Sequence, residues 1–324
     1  MYVFINVWRS FINEWWFFNI FYCFLVFYIV SLHHIKISST QNQYVMKNLT
    51  LILALFISCF TTFSQVSDDE KNALIALNKA TDGENWTIQW DLNKPVNEWY
   101  GIRVKDNHIT QVILTNNNLY GTIPAEITVL SHLKTLNLQK NSINGKIPAN
   151  IGNLQELKEL KLSFNSITGE IPESLYSIKT LENLSLFMNE ISGSISPKIG
   201  QLTNLKQLVL FNNNFTGRIP KEIGNLSQLE VIQISSNKIS GNIPTEICQL
   251  QQLQKISLFD NKMDGHIPLG IASLEKLTEL NLKENKFTPI YPLELKQLGY
   301  IKQLNIDTNS ILTSNNKEVA SILK

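Results

Sequence analysis

Few side chains in this chain are spaced for covalent or acid–base chemistry. His108, His132 and His266 read as falling in different turns and at different phases, and none has a partner at metal-ligand spacing, so no zinc site is expected. No G-x-S-x-G elbow and no glycine-rich phosphate loop occurs. The carboxylates Glu159, Glu190, Asp260, Glu279 and Glu284 are interleaved with Lys140, Lys161, Lys255 and Lys283, which is the pattern of a solvated face. Cys23, Cys59 and Cys248 are too few for a disulfide framework. Cys248 stands in a slot that Gly152, Gly200 and Gly224 hold elsewhere, so it reads as a small packing residue and not a nucleophile. With 28 Lys+Arg against 27 Asp+Glu there is no basic field to neutralise phosphates, and nucleic acid is disfavoured as a partner. Neither an enzyme nor a cofactor is expected.

The chemistry that remains is hydrogen bonding by amides and docking by apolar surface. Asn117, Asn141, Asn165, Asn189, Asn213, Asn237, Asn261, Asn285 and Asn309 recur every 24 residues. A tight bend buries backbone N–H and C=O groups that no strand partner reaches. An inward Asn offers donors and an acceptor to meet them. The column therefore predicts a continuous structural ladder and not a binding or glycosylation site.

The elements that position these amides follow from the same period. Each turn carries apolar residues such as Leu157, Leu160, Leu162, Ile167, Ile171, Leu175 and Ile178. Their uneven spacing fits neither a helix nor one long strand. The Leu160-x-Leu162 segment alternates and predicts a short strand. Strands of successive coils then stack as a parallel sheet about 4.8 Å apart. One coil cannot bury its own apolar set, so stacking must supply the cover. Glycine at 121, 145, 169, 193, 217, 241 and 265 suits positive φ or close approach. The following Ile-Pro pairs fix φ where no ladder donor is wanted.

The pattern L-x-x-L-x-L-x-x-N-x-L-x-G-x-I-P resembles the plant-specific class of leucine-rich repeats, the form common in plant receptor ectodomains. NSINGKIPANIGNL (Asn141–Leu154) and NNFTGRIPKEIGNL (Asn213–Leu226) carry the resemblance, which covers residues 68 to about 311. It implies an α/β solenoid: a right-handed curved superhelix with a parallel concave sheet, a second extended row beginning at Gly-Ile-Pro, and an N-terminal helical cap. Residues 68–108 are the expected cap. Its helix runs Asp68 to Gly83 with Ala73, Leu74 and Leu77 on one face, capped by Asp68 or Asp69. A hairpin of 101–105 with 109–114 follows across Asp106-Asn107. The family cap usually carries a cysteine pair. Trp86, Trp90 and Trp99 stand here without one, which suits a bacterial secreted relative. Nine repeats are expected over 109–312 and a C-terminal cap or tail over 313–324.

Upstream, Met46-Lys47 precedes an apolar run to Phe63, so residues 46–65 read as a signal peptide. Cys59 offers an alternative lipid attachment. Residues 1–45 read as a non-native upstream extension or, through Trp15–Leu32, as a membrane anchor. Either way a secreted or cell-surface location is expected.

The candidate partner-binding residues point outward just after the strands. Phe164, Phe187, Met188 and Phe211 lie on adjacent rungs with Val209 beside them, and Phe259 follows two turns on. Exposed apolar strips mark interaction sites, and aromatic anchors dominate many interfaces. The expected function is an exported monomeric scaffold that recognises a protein, peptide or glycan. Inhibition of a secreted hydrolase, ice binding through Thr168, Ser192, Thr216 and Ser240 (interrupted by Asp264 and Tyr120), and a purely structural surface role are the rivals.

Overall fold

The computed structural model describes residues 66–288 and 301–306. The N-terminal segments 1–45 and 46–65, Cys59, Asn309 and the tail 313–324 lie outside the described residues.

Every coil repeats one plan. A ten-stranded sheet begins with β1 (Ile102–Lys105) antiparallel to β2 (His108–Ile113). Parallel strands at Thr135–Asn137, Glu159–Lys161, Asn183–Ser185, Gln207–Val209, Val231–Gln233, Lys255–Ser257, Glu279–Asn281 and Gln303–Asn305 complete it. Equivalent leucines face each other without slippage, as in Leu136↔Leu160, Leu160↔Leu184 and Leu184↔Leu208. A one-residue slip would turn each strand's buried side chain to solvent, so the constant period pins the register. The seven apolar positions of a coil, from Leu157 to Ile178, are all buried. The architecture is thus the α/β leucine-rich solenoid implied by the repeat.

The opposite wall is built from short 3₁₀ turns such as Glu173–Ser177, Lys221–Asn225 and Thr245–Gln249. Pro172, Pro220 and Pro244 precede them, each near the φ that the pyrrolidine ring prefers. The second extended row is less regular than expected. It begins just after the ladder Asn and ends at the glycine, instead of starting there, as at Thr168–Gly169 and Ser240–Gly241. It breaks into three small sheets. Gly169 takes φ +78, and the other glycines of its column are left-handed as well.

The cap helix α1 spans Asp68–Ala80. Its N-cap is Ser67, whose hydroxyl accepts from the Glu70 amide at 3.3 Å, and not Asp68 or Asp69. Those aspartates instead lie in the first turn, where negative charge complements the helix dipole. Ala73, Leu74 and Leu77 are buried as one face. Glu70 is also buried and ties α1 to β2: Oε2 accepts from the Ile109 amide at 3.0 Å, and Oε1 lies 2.9 Å from His108 Nδ1. The β1–β2 turn places Asp106 and Asn107 at φ 51 and 68, a left-handed pair matching the twist of a two-residue hairpin. Trp86 meets Trp90 edge-on at 4.8 Å, and Trp90 stacks on Trp99 at 4.9 Å. Each indole N–H reaches a carbonyl, of Thr81, Tyr100 and Lys94 respectively. At Gly121 a Cβ would sit 2.1 Å from the Ala80 carbonyl oxygen, so only glycine lets the helix end dock on the first coil.

Candidate ligand-binding face

The asparagines hold the bend that presents this face. Asn165 Oδ1 accepts from the Ile143 amide in the preceding coil at 2.9 Å. Its Nδ2 donates to Leu138 O in that coil at 3.0 Å and to Leu162 O in its own at 2.9 Å. Asn189, Asn213, Asn237, Asn261 and Asn285 repeat the pattern. The ladder therefore runs from side chain to backbone, and not from amide to amide. Asn141 serves two amides, of Asn117 and Leu119, and Asn117 turns to the cap backbone at Ile88. An amide is long enough to reach across one coil but not to the next amide as well.

Immediately before each ladder Asn the chain takes left-handed φ. Asn116, Lys140, Phe164, Met188, Asn212, Ser236, Asp260 and Glu284 all lie between φ 50 and 56. This twists the chain out of the strand and turns the amide inward. Asn and Asp suit that conformation; Phe and Met do not. Phe164 and Met188 are nonetheless both 38% exposed there.

One column earlier, Phe187 stacks on Phe211 with centroids 4.3 Å apart and planes at 16°. Phe164 meets Phe187 edge-on at 5.0 Å, although it belongs to the left-handed column. Lys140 Nζ lies 5.9 Å from the Phe164 ring. The structure thus brings Phe164, Phe187 and Phe211 together, with Met188 in the next column and Val209 nearly buried beside them. Phe259 is separated from the cluster by Ser235. Ser163, in the same column as Phe187 and Phe211, is fully buried and hydrogen-bonded to Ser185 at 2.8 Å.

The charges of the strand face neutralise one another. Lys161 pairs with Glu159 at 2.8 Å, and Lys255 with Glu279 at 2.5 Å. Where the chain enters the strands, Glu182 is clasped by Lys206 at 2.8 Å and Lys158 at 2.9 Å. Their hydrogen bonds, Lys206 foremost, hold the Glu182 carboxyl below its usual range, and Glu182 in turn raises the Lys206 ammonium. A depression of about 340 Å³ lies over this trio, with Thr180, Asn204 and Gln228 on its wall.

Two other groups differ from the sequence expectation. His108 and His132, one period apart, share a phase after all, and their rings lie 3.9 Å apart. Each places Nδ1 on a carboxylate, Glu70 or Glu156. No cluster of three or more metal-ligating side chains is present among the described residues. Tyr176 was not singled out, yet it is fully buried in the column otherwise held by Gly152, Gly200, Gly224 and Cys248. Burial pushes its phenol up to about 12, with the Ser196 backbone pulling the other way. No partner reaches its hydroxyl in hydrogen-bond geometry among the described residues. Cys248 is half-buried, and burial raises its thiol above the usual range.

A stacked coil with a laddered bend and a variable outward row defines a leucine-rich repeat scaffold. Residues 112–218 and 198–324 match the family model of the leucine-rich repeat region, and the chain belongs to that family. A probable leucine-rich repeat receptor-like protein kinase of Arabidopsis thaliana is 34% identical over 89 residues, 27% of this chain and 9% of the kinase. The plant peptide hormone receptor RGFR1, solved in complex with RGF2, is 35% identical with a TM-score of 0.56, over 59% of this chain and 30% of that one. A plant ice-binding protein is 25% identical with a TM-score of 0.67, over 75% of this chain and 79% of that one. The chain therefore matches under a tenth of the kinase's length and under a third of the receptor's.

Proposed function

We propose that the chain is an exported binding scaffold that recognises a protein, peptide or glycan along the strip of Phe164, Phe187, Met188, Val209 and Phe211, with Phe259 at its far end. One observation carries this reading. Phe164 and Met188 sit at φ 55 and 53. That conformation costs a side-chain-bearing residue roughly 1–2 kcal/mol. The bend imposes that φ in the other described coils too, Lys140 and Glu284 included, so what sets these two apart is the apolar side chain each carries there. Two bulky apolar residues in adjacent coils bear that φ while staying exposed, next to a stacked aromatic pair. The likeness to a receptor solved with its peptide hormone supports a ligand-binding role for the same kind of scaffold. The work is binding, not catalysis, and the chain acts as a monomer.

In this reading residues 46–65 direct export and 1–45 are an upstream extension or a membrane anchor, so the repeats face the cell exterior. The cysteine-free cap over 68–108 suits a bacterial secreted member of the 24-residue plant-type class. Comparing the native chain with the Phe187→Ser/Phe211→Ser variant for capture of ligands from surface extracts tests the proposal. Unchanged capture by a folded variant removes it.

The likeness to a plant ice-binding protein favours a second reading, ice binding by the hydroxyl column. Against it, Thr168, Ser192, Thr216 and Ser240 donate to the carbonyls of Gly145, Gly169, Gly193 and Gly217. Their hydroxyl protons are already committed within the coil stack. Thermal hysteresis of the purified chain separates the two readings.

A further inference from the structure

We infer that the ligand is a neutral polysaccharide chain, lying on the strand face from Asn183 to Gln233 beside Phe187 and Phe211. The inference rests on the binding reading above and names its ligand class.

The first observation is where the charges are. On the strand face, the ion pairs Glu159–Lys161 and Lys255–Glu279 bracket three rungs. Those rungs, Asn183–Ser185, Gln207–Val209 and Val231–Gln233, carry no ionisable residue. The bracketing charges are paired, as are Glu182 and Lys206 where the chain enters these rungs, with Glu230 beside Lys206 at that edge; the rungs themselves offer a ligand no counter-charge.

The second observation is what the centre offers instead. Asn183 Nδ2 donates to Gln207 Oε1 at 2.9 Å, while Asn183 Oδ1 is buried without a partner. The side-chain amide N–H groups of Gln207 make no hydrogen bond among the described residues. The side chains of Gln233, Asn212 and Ser236 make no hydrogen bond among the described residues. Planar amides offer a donor and an acceptor side by side, which matches vicinal hydroxyls. The neighbouring apolar strip supplies surface for the C–H faces of sugar rings. An uncharged ligand with hydroxyl edges and hydrocarbon faces meets both. Rungs about 4.8 Å apart lie close to the advance of one residue in an extended β-linked pyranose chain, so successive sugars would meet equivalent columns.

Affinity electrophoresis of the full chain through gels containing a β-1,3-glucan, a soluble β-1,4-glucan, a galactomannan or anionic polygalacturonate tests this. The expected result is retardation by at least one neutral polymer, insensitive to added salt. It should weaken about tenfold in Gln207→Ala/Gln233→Ala, since two hydrogen bonds are lost, with thermal melts confirming the fold. No retardation by any neutral polymer, or retardation by polygalacturonate alone, overturns the inference. If neutral polymers fail but Phe187→Ser/Phe211→Ser abolishes capture of a peptide or protein, the glycan assignment falls and the binding strip stands. If a glycan retards that variant at full strength, the sugar binds elsewhere and both readings fall.

Discussion

The side chain of Asn189 accepts the backbone N–H of Ile167, 22 residues upstream, at 3.0 Å. Its amide nitrogen simultaneously donates to Leu162 O and Leu186 O, both at 3.0 Å. One buried amide thus closes its own bend and clamps the preceding coil. Asn189→Leu keeps the volume but strands the Ile167 N–H, while Leu162 O and Leu186 O keep the amides of Asn165 and Asn213. One stranded buried N–H sets the expected loss at about 1–3 kcal/mol. Urea unfolding measures it. A change within about 0.5 kcal/mol, the range of an ordinary surface substitution, would show that the ladder is not what holds the coils together.

Glu70 does the equivalent work in the cap, where it accepts from the Ile109 amide and engages His108. Glu70→Ala leaves a buried N–H unpaired, at a cost of about 1–3 kcal/mol. Because each coil contacts mainly its neighbours, the damage should stay local. Tryptophan fluorescence from Trp86, Trp90 and Trp99 should then change at lower denaturant than the backbone signal of the repeats. Coincident transitions would contradict local unfolding of the cap.

Tyr176 predicts a pH effect. Its phenol is neutral in both states below the ordinary tyrosine range. With a folded value of about 12 against an ordinary 10.0, the unfolded chain releases its proton first as pH rises. Stability is therefore complete below pH 10.0 and falls between there and about 12, by about 3 kcal/mol in all. Tyr176→Phe should remove that part of the alkaline loss and cost little at neutral pH, since among the described residues no group meets the hydroxyl it deletes in full hydrogen-bond geometry. Denaturant melts of both proteins at pH 7 and pH 11 check it. An equal alkaline loss in the variant would refute the assignment.

Much of this fold was legible because it is written many times over. The period places Leu160, Leu162 and Asn165 without ambiguity, and the glycine column at 145 and 169 signals left-handed backbone correctly. What could not be read depended on reach and conformation. Whether Asn165 meets another amide or a carbonyl is decided by the distance between coils. The left-handed column was hidden because Phe164 and Met188 are unlikely occupants, although Asn116, Asn212 and Asp260 at the same phase were its trace. Ser163 shares the column of Phe187 and Phe211, yet its small side chain is buried and bonded to Ser185, which the column alone does not signal. Tyr176 was visible only as a residue out of type in a column of small ones.

The strip itself is tested most directly by relieving its strain. Phe164→Asn/Met188→Asn places favoured residues at φ 55 and 53. The roughly 1–2 kcal/mol recovered at each site should offset the lost contact with Phe187. A thermal melt of the double variant, read beside its ligand binding, is the decisive measurement. The account predicts a melting temperature equal to or above that of the native chain, with binding weakened at least about tenfold. A melting temperature lower by several degrees with binding intact would mean that Phe164 and Met188 serve the fold and not a ligand.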